Sequence, residues 1–198
     1  MFSGQHAERQ GSKVARSLLS IVIMVLVVFG LSRLLNTFVF GAYEIPSGSM
    51  EDTIEVGDLV FSEKLSYYTS EPQKGDIVTF ADPLVSNRTL IKRVIATAGQ
   101  TVDIDFNLGR VYVDGVMLEE DYINDLTYRE EGTVFPLTVP EGEVFLMGDN
   151  RNHSNDSRDS SLGTVDTRLL IGKAVFLVFP GRDYLTEQRE FGRIGLLQ

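Results

Sequence analysis

The chain has 198 residues, a formal net charge of −10 and no cysteine, which removes disulfides, thiolate catalysis and thiolate metal sites together. The charge is uneven: residues 1–40 carry Arg9, Lys13, Arg16 and Arg33 against Glu8, a net of +3, so the remainder carries −13. An acidic body of this kind lacks the basic patch that a phosphate backbone requires, and nucleic acid is not an expected partner.

Residues 1–16 read as a basic tail. Ser17 to Ala42 is mostly apolar, interrupted at Ser32-Arg33, and is long enough to span a bilayer as a helix, which needs about 20 residues. Arg33 would snorkel to the headgroups at one end. Arg9, Lys13 and Arg16 precede the span, so the N-terminus is expected in the cytoplasm and the rest of the chain on the far side. The alternative, a cleaved secretory signal, has Ala42 as its best cleavage point, but Phe40 would stand at −3 and fits A-x-A poorly. A buried helix of a soluble protein would be striped, whereas this segment is apolar all round.

Residues 43–198 read as one β-rich domain. Strand-like runs are Leu59–Phe61, Asp76–Phe80, Thr89–Ala96, Thr101–Asp105, Arg110–Val113, Val134–Val139, Glu143–Met147 and Leu169–Phe179. Turn signals separate them, and Asp114-Gly115 predicts a tight hairpin. Short strands at this spacing predict a mainly β fold, a coiled or barrel-like sheet, not alternating βαβ units. Residues 119–133, acidic and polar with two tyrosines, read as a surface excursion.

Chemistry concentrates in three places. Ser49 lies in Ile45-Pro46-Ser47-Gly48-Ser49-Met50, where Pro46 stiffens the approach and Gly48 permits an unusual backbone angle. Such a turn can expose a hydroxyl and aim backbone N–H groups at one point, as an oxyanion hole requires. Ser47 is a second hydroxyl nearby. An ordinary Ser/Gly/Pro turn is the alternative. Lys92 lies in Leu90-Ile91-Lys92-Arg93-Val94-Ile95, a strand whose two faces are both largely apolar. To act as a base near neutrality its pKa must fall from about 10.4 by roughly 3 units, or about 4 kcal/mol. The acidic domain opposes that, and Arg93 points to the other face, so burial must supply it. Lys92 is therefore expected to have no carboxylate partner. The third place is the polar run from Gly148 to Arg158. There Ser154 could orient Lys92, Asp156 and Arg158 could pair, and a solvated loop is the plainer alternative. Of the two histidines, His6 lies in the tail and His153 is the one rival base for Ser49. With no HExxH there is little material for a zinc hydrolase. A serine with a desolvated lysine, on a membrane-anchored chain, points to proteolysis at a membrane surface.

Pro46-Ser47-Gly48-Ser49-Met50, Val56-Gly57-Asp58, Lys74-Gly75-Asp76-Ile77-Val78, Lys92-Arg93-Val94 and Gly148-Asp149-Asn150-Arg151 through Ser154-Asn155-Asp156-Ser157-Arg158 resemble, in that order, the type I signal peptidases of the bacterial Ser/Lys type. The resemblance implies a single-pass endopeptidase of the cell membrane that removes signal peptides from exported preproteins after small residues at −1 and −3, without metal or cofactor. It implies Ser49 as nucleophile and Lys92 as general base, Ser47 assisting the oxyanion hole, and Ser154 positioning the lysine. Asp156 and Arg158 match the supporting ion pair, and Gly148 and Asp149 the start of that block. By position alone, Ile45 and Met50 are candidates to line shallow apolar substrate pockets. The expected partners are preproteins, the bilayer and the protein-export machinery. One departure is Asp52, where many members carry proline. The rival readings are another Ser/Lys protease of the same fold and a catalytically silent, membrane-tethered β-domain.

Overall fold

The structure, a computed structural model, describes residues 4–183 and 186–197. Its contacts divide the chain between Val39 and Phe40. The first unit is one helix, α1 (Gly4–Phe38). Its segment Arg16–Phe38, 23 residues, is long and apolar enough to cross a membrane; at about 1.5 Å per residue it reaches about 35 Å, against a hydrocarbon core of about 30 Å. Its apolar side chains are exposed on every face instead of forming a stripe.

The helix is shorter at its C-terminal end than the expected span to Ala42. Phe40–Glu44 forms strand β1, paired antiparallel with β2 (Leu59–Glu63), Ala42 standing opposite Phe61. The cause is that Phe40 and Tyr43 suit a strand as well as an apolar helix, and hydropathy alone does not separate the two. The phenyl rings of Phe40 and Phe61 lie 4.9 Å apart across this pair.

Further along the chain are β3 (Ile77–Ala81), β4 (Thr89–Thr97), β5 (Thr101–Asp105), β6 (Arg110–Val113), β7 (Val116–Met117), β8 (Leu137–Thr138), β9 (Glu143–Met147), β10 (Val165–Asp166), β11 (Leu170–Phe179) and β12 (Gly195–Leu196). They build two sheets: β1-β2-β11-β3-β4-β9-β10, with β12 also on β11, and β7-β6-β5-β8. Neither sheet closes on itself, so the expected barrel-like form is realised as two open sheets. The Asp114-Gly115 hairpin joins β6 to β7, both turn residues having positive φ (53° and 77°), as a type I′ turn needs. The expected strand Val134–Val139 shrinks to β8, since Pro136 has no N–H to give a ladder.

β4 holds the domain together. Ile91 packs in one core cluster with Ile45, Met50, Ile54, Val60, Ile77 and Ala174. Val94 packs in a second with Val78, Phe80, Val144 and Leu146. Ile95 and Ala96, past an irregularity in the pairing with β9, join a third cluster made largely by β5 and β6. A strand covered in this way buries whatever polar side chain its sequence places there.

Candidate active site

Three segments converge: the loop between β1 and β2, the middle of β4, and the run after β9. The first is closed at its neck by Ile45 N–H donating to Asp58 O (2.9 Å) and Gly57 N–H to Ile45 O (2.8 Å). Met50 and Ile54 plug its inner side into the core, so Ser49 is presented beside a fixed apolar peg. Lys92 is 3% exposed and Ser49 8%. Lys92 Nζ donates to Ser49 Oγ (2.7 Å) and to Ile91 O (2.9 Å). Among the described residues Lys92 makes no ion pair. Burial pushes its ammonium down to about 8; Asp156 and Asp149 oppose that, and Arg158 and Arg88 assist it.

Ser47 is exposed on the same turn, three positions before Met50. Ile45 and Met50 do not form an open pocket wall: they are 3% and 0% exposed and fill the core beneath Ser49. A cavity of about 660 Å³ lies alongside, lined by Glu51, Glu55, Val56, Gly181 and Arg193 among others. It touches neither Ser49 nor Lys92, and its lining is mostly charged. Asp52 is exposed and follows a cis peptide bond from Glu51. The loop is tied down one residue later, where Thr53 Oγ1 donates to Asp149 Oδ2 (2.6 Å).

In the third segment Arg158 donates to Asp156 through Nε and Nη2, both at 2.9 Å, with neither side chain exposed. Burial alone would raise the Asp156 carboxyl; its bonds from Arg158 and from Gly148 N–H outweigh that and hold it below the usual range. Gly148 is needed for space: a Cβ there would stand 2.3 Å from Ser154 Oγ and 2.4 Å from the carbonyl oxygen of Ser49. Ser154 does not orient Lys92 here. Its buried hydroxyl packs against Gly148 and lies beside the Asp156 carboxylate, helping to keep that group ionised, while Ser49 Oγ and Ile91 O hold the lysine. His153 is exposed and faces Asn150, with Nδ1 3.3 Å from Oδ1, not Ser49.

Several supporting groups escaped sequence reasoning. Arg93 forks onto Asp149 (2.8 and 2.7 Å), and Tyr122 lays its ring 3.9 Å from the Arg93 guanidinium. Arg151 donates to Gly148 O (3.1 Å) and to Glu120 (2.9 Å). Residues 119–133 are therefore not a detached excursion. They cover the buried arginines, Glu120 on Arg151, Tyr122 on Arg93, and Glu131 with a longer 3.9 Å contact to Arg158. An arginine in a doubly apolar strand was the signal that a buried carboxylate must exist; no local signal marked Glu120 or Tyr122 as its cover.

Two buried arginine–carboxylate pairs, a solvent-poor lysine and a hydroxyl in contact with it constitute a site fitted for acyl transfer. The sequence profile of the family described as "Signal peptidase, peptidase S26" matches residues 15–179. A probable signal peptidase I-1 of Synechocystis is 42% identical over 164 residues, covering 79% of this chain and 80% of the relative. A signal peptidase I of Mycobacterium tuberculosis is 33% identical over 210 residues, covering 80% and 71%. The crystal structure of a signal peptidase I from Enterococcus faecalis is 33% identical, covers 52% of this chain and 97% of its own, and has a TM-score of 0.44. The chain belongs to the signal peptidase (peptidase S26) family, and is a serine endopeptidase of the hydrolase class.

Proposed function

We propose that the protein is a membrane-anchored signal peptidase that cuts exported preproteins with a Ser49/Lys92 dyad. The observation that carries this reading is the 2.7 Å contact between Lys92 Nζ and Ser49 Oγ, made where the lysine has no carboxylate partner. When the amine is neutral, the same contact lets the Ser49 hydroxyl donate to it. Ser49 Oγ attacks the scissile carbonyl carbon as its proton passes to Nζ, and the oxyanion is received by Ser49 N–H with the exposed Ser47 hydroxyl. The C–N bond breaks and the ammonium returns the proton to the leaving amine, freeing the mature chain. Lys92 then deprotonates water, which attacks the acyl-enzyme, and Ser49 Oγ recovers its proton as the signal peptide departs as a carboxylate. Asp156–Arg158 and Asp149–Arg93 brace the run that faces the dyad, with Gly148 and Ser154 packed behind it.

Cleavage after small residues at −1 and −3 is the expected specificity. The burial of Ile45 and Met50 in the core beneath Ser49 supports shallow subsites there. Arg16–Phe38 is the anchor, residues from Phe40 onward form the catalytic domain, and the basic residues Arg9, Lys13 and Arg16 favour an N-in orientation. The export machinery is the expected source of substrate. The deciding experiment compares full-length wild type with Ser49→Ala and Lys92→Ala on a preprotein bearing an Ala-x-Ala site, in detergent or lipid. Cleavage after the −1 alanine that both variants lose supports the reading. Full activity in Lys92→Ala sinks the lysine-base mechanism.

A further inference from the structure

Ser49 has two flanking peptide groups, and one residue holds both of their carbonyls. The backbone N–H of Asn150 donates to Ser49 O (3.1 Å). The side-chain Nδ2 of Asn150 donates to Gly48 O (2.9 Å) and to Glu51 Oε2 (3.1 Å). The amide can face only this way, because Gly48 O and the Glu51 carboxylate are both acceptors; at the other end its Oδ1 lies 3.3 Å from His153 Nδ1. Asn150 is 5% exposed, so water does not compete for these bonds.

The Gly48–Ser49 peptide is trans. In a trans peptide the C=O and N–H lie in one plane and point in opposite directions. Fixing Gly48 O toward Asn150 therefore fixes Ser49 N–H to point away from it. That N–H donates to no acceptor among the described residues. A hydrogen bond on the carbonyl also polarises the peptide, which strengthens its N–H as a donor. We propose that Asn150 is a positioning residue that aims the Ser49 N–H at the oxyanion formed during cleavage. This rests on the dyad reading above and adds to it the group that orients the oxyanion donor.

Asn150→Ala and the near-isosteric Asn150→Leu both keep the backbone bond to Ser49 O and delete the bonds of Nδ2, together with the outward contact of Oδ1 to the exposed His153. Neither adds a charge that would disturb Lys92. They are compared with wild type and Ser49→Ala, as full-length proteins in detergent, by kcat and KM for an Ala-x-Ala preprotein across pH, and by thermal unfolding. Loss of one oxyanion donor costs about 10²–10³ in rate, so misaiming one is expected to lower kcat about 10- to 100-fold. KM should stay within about threefold and the midpoint of the pH profile should stay in place, because Lys92 remains buried. Retention of kcat within threefold in both variants overturns the proposal. So does a kcat loss that travels with a shifted pH midpoint, which would mean a disturbed dyad, and so does failure of both variants to unfold cooperatively, which would make Asn150 a folding requirement. Cleavage by Ser49→Ala would instead defeat the dyad reading, and the proposal with it.

Discussion

Lys92 Nζ stands 2.7 Å from Ser49 Oγ and 2.9 Å from the carbonyl of its own neighbour, Ile91. A charged ammonium would want a third partner. In this pocket it has none from a carboxylate, and that shortfall in solvation favours the neutral amine, the form a general base needs.

The pH profile should follow that amine. With Lys92 near 8, kcat/KM is expected to rise through pH 7–8, reach half its maximum near 8 and level off above. Steady-state cleavage of a preprotein from pH 6 to 10 measures it; a flat profile would remove Lys92 as the base.

Stability should move in the same range. The native pKa near 8 lies below the ordinary lysine value of 10.5. Below pH 8 both folded and unfolded chains carry the proton, and the native state bears the whole burial penalty, about 3 kcal/mol. Between 8 and 10.5 the unfolded chain holds a proton that the native chain has lost, so stability rises with pH. Lys92→Met has no such penalty. It is expected to be inactive yet more stable at pH 7 by up to about 3 kcal/mol, with the advantage shrinking toward pH 10. Denaturant midpoints at the two pH values decide; an equal gap at both would show that burial of the charge is not the cause.

Gly148→Ala should be costly in both currencies, stability and rate. The new methyl meets Ser154 Oγ at 2.3 Å and Ser49 O at 2.4 Å, and the second is backbone that cannot rotate away. Overpacking of this kind costs about 1–3 kcal/mol. Displacing the Ser49 carbonyl should lower kcat more than it raises KM. Adding Ser154→Gly is expected to recover part of the stability and little of the rate, as read by unfolding and single-turnover cleavage.

Asp156→Asn leaves the fully buried Arg158 guanidinium with only the longer 3.9 Å contact to Glu131 as an ionic partner, and breaking a buried pair costs about 3–5 kcal/mol. Replacing both residues, as Asp156→Leu with Arg158→Met, should cost less than the sum of the two single changes, because neither member of the pair is left charged without the other. A double-mutant cycle in denaturant tests this; strict additivity would mean that the pair is not coupled.

Tyr122→Ala uncovers Arg93, over which the ring lies at 3.9 Å. With the guanidinium wetted, its hold on Asp149 should weaken, and through Thr53 the loop carrying Ser49 should loosen. A drop in stability of about 2–3 kcal/mol is expected from the lost aromatic burial, with hydrogen exchange rising in residues 48–55. Unchanged exchange there would confine Tyr122 to local packing.

Much of this protein is determined by the sequence alone. Ser17 onward is a membrane-length apolar run because hydropathy is additive along a helix. β4 is a doubly covered strand because Leu90, Ile91, Val94 and Ile95 leave no wet face. A lysine at its centre must therefore be desolvated, and a nearby serine is the natural recipient of its attention. What the linear chain could not settle were distances between segments far apart in it. Whether Phe40–Glu44 ends the helix or starts a strand depended on pairing with Leu59–Glu63. The Arg93–Asp149 fork, the cover formed by Glu120 and Tyr122, and the grip of Asn150 on the Gly48 and Ser49 carbonyls join residues far apart in the chain, from Arg93–Tyr122 at the near end to Asn150–Gly48, 102 positions apart. Hydrogen bonds are directional and short, so composition and periodicity show which segments carry polar groups that must be satisfied, and only the packed tertiary structure selects the atoms that satisfy them.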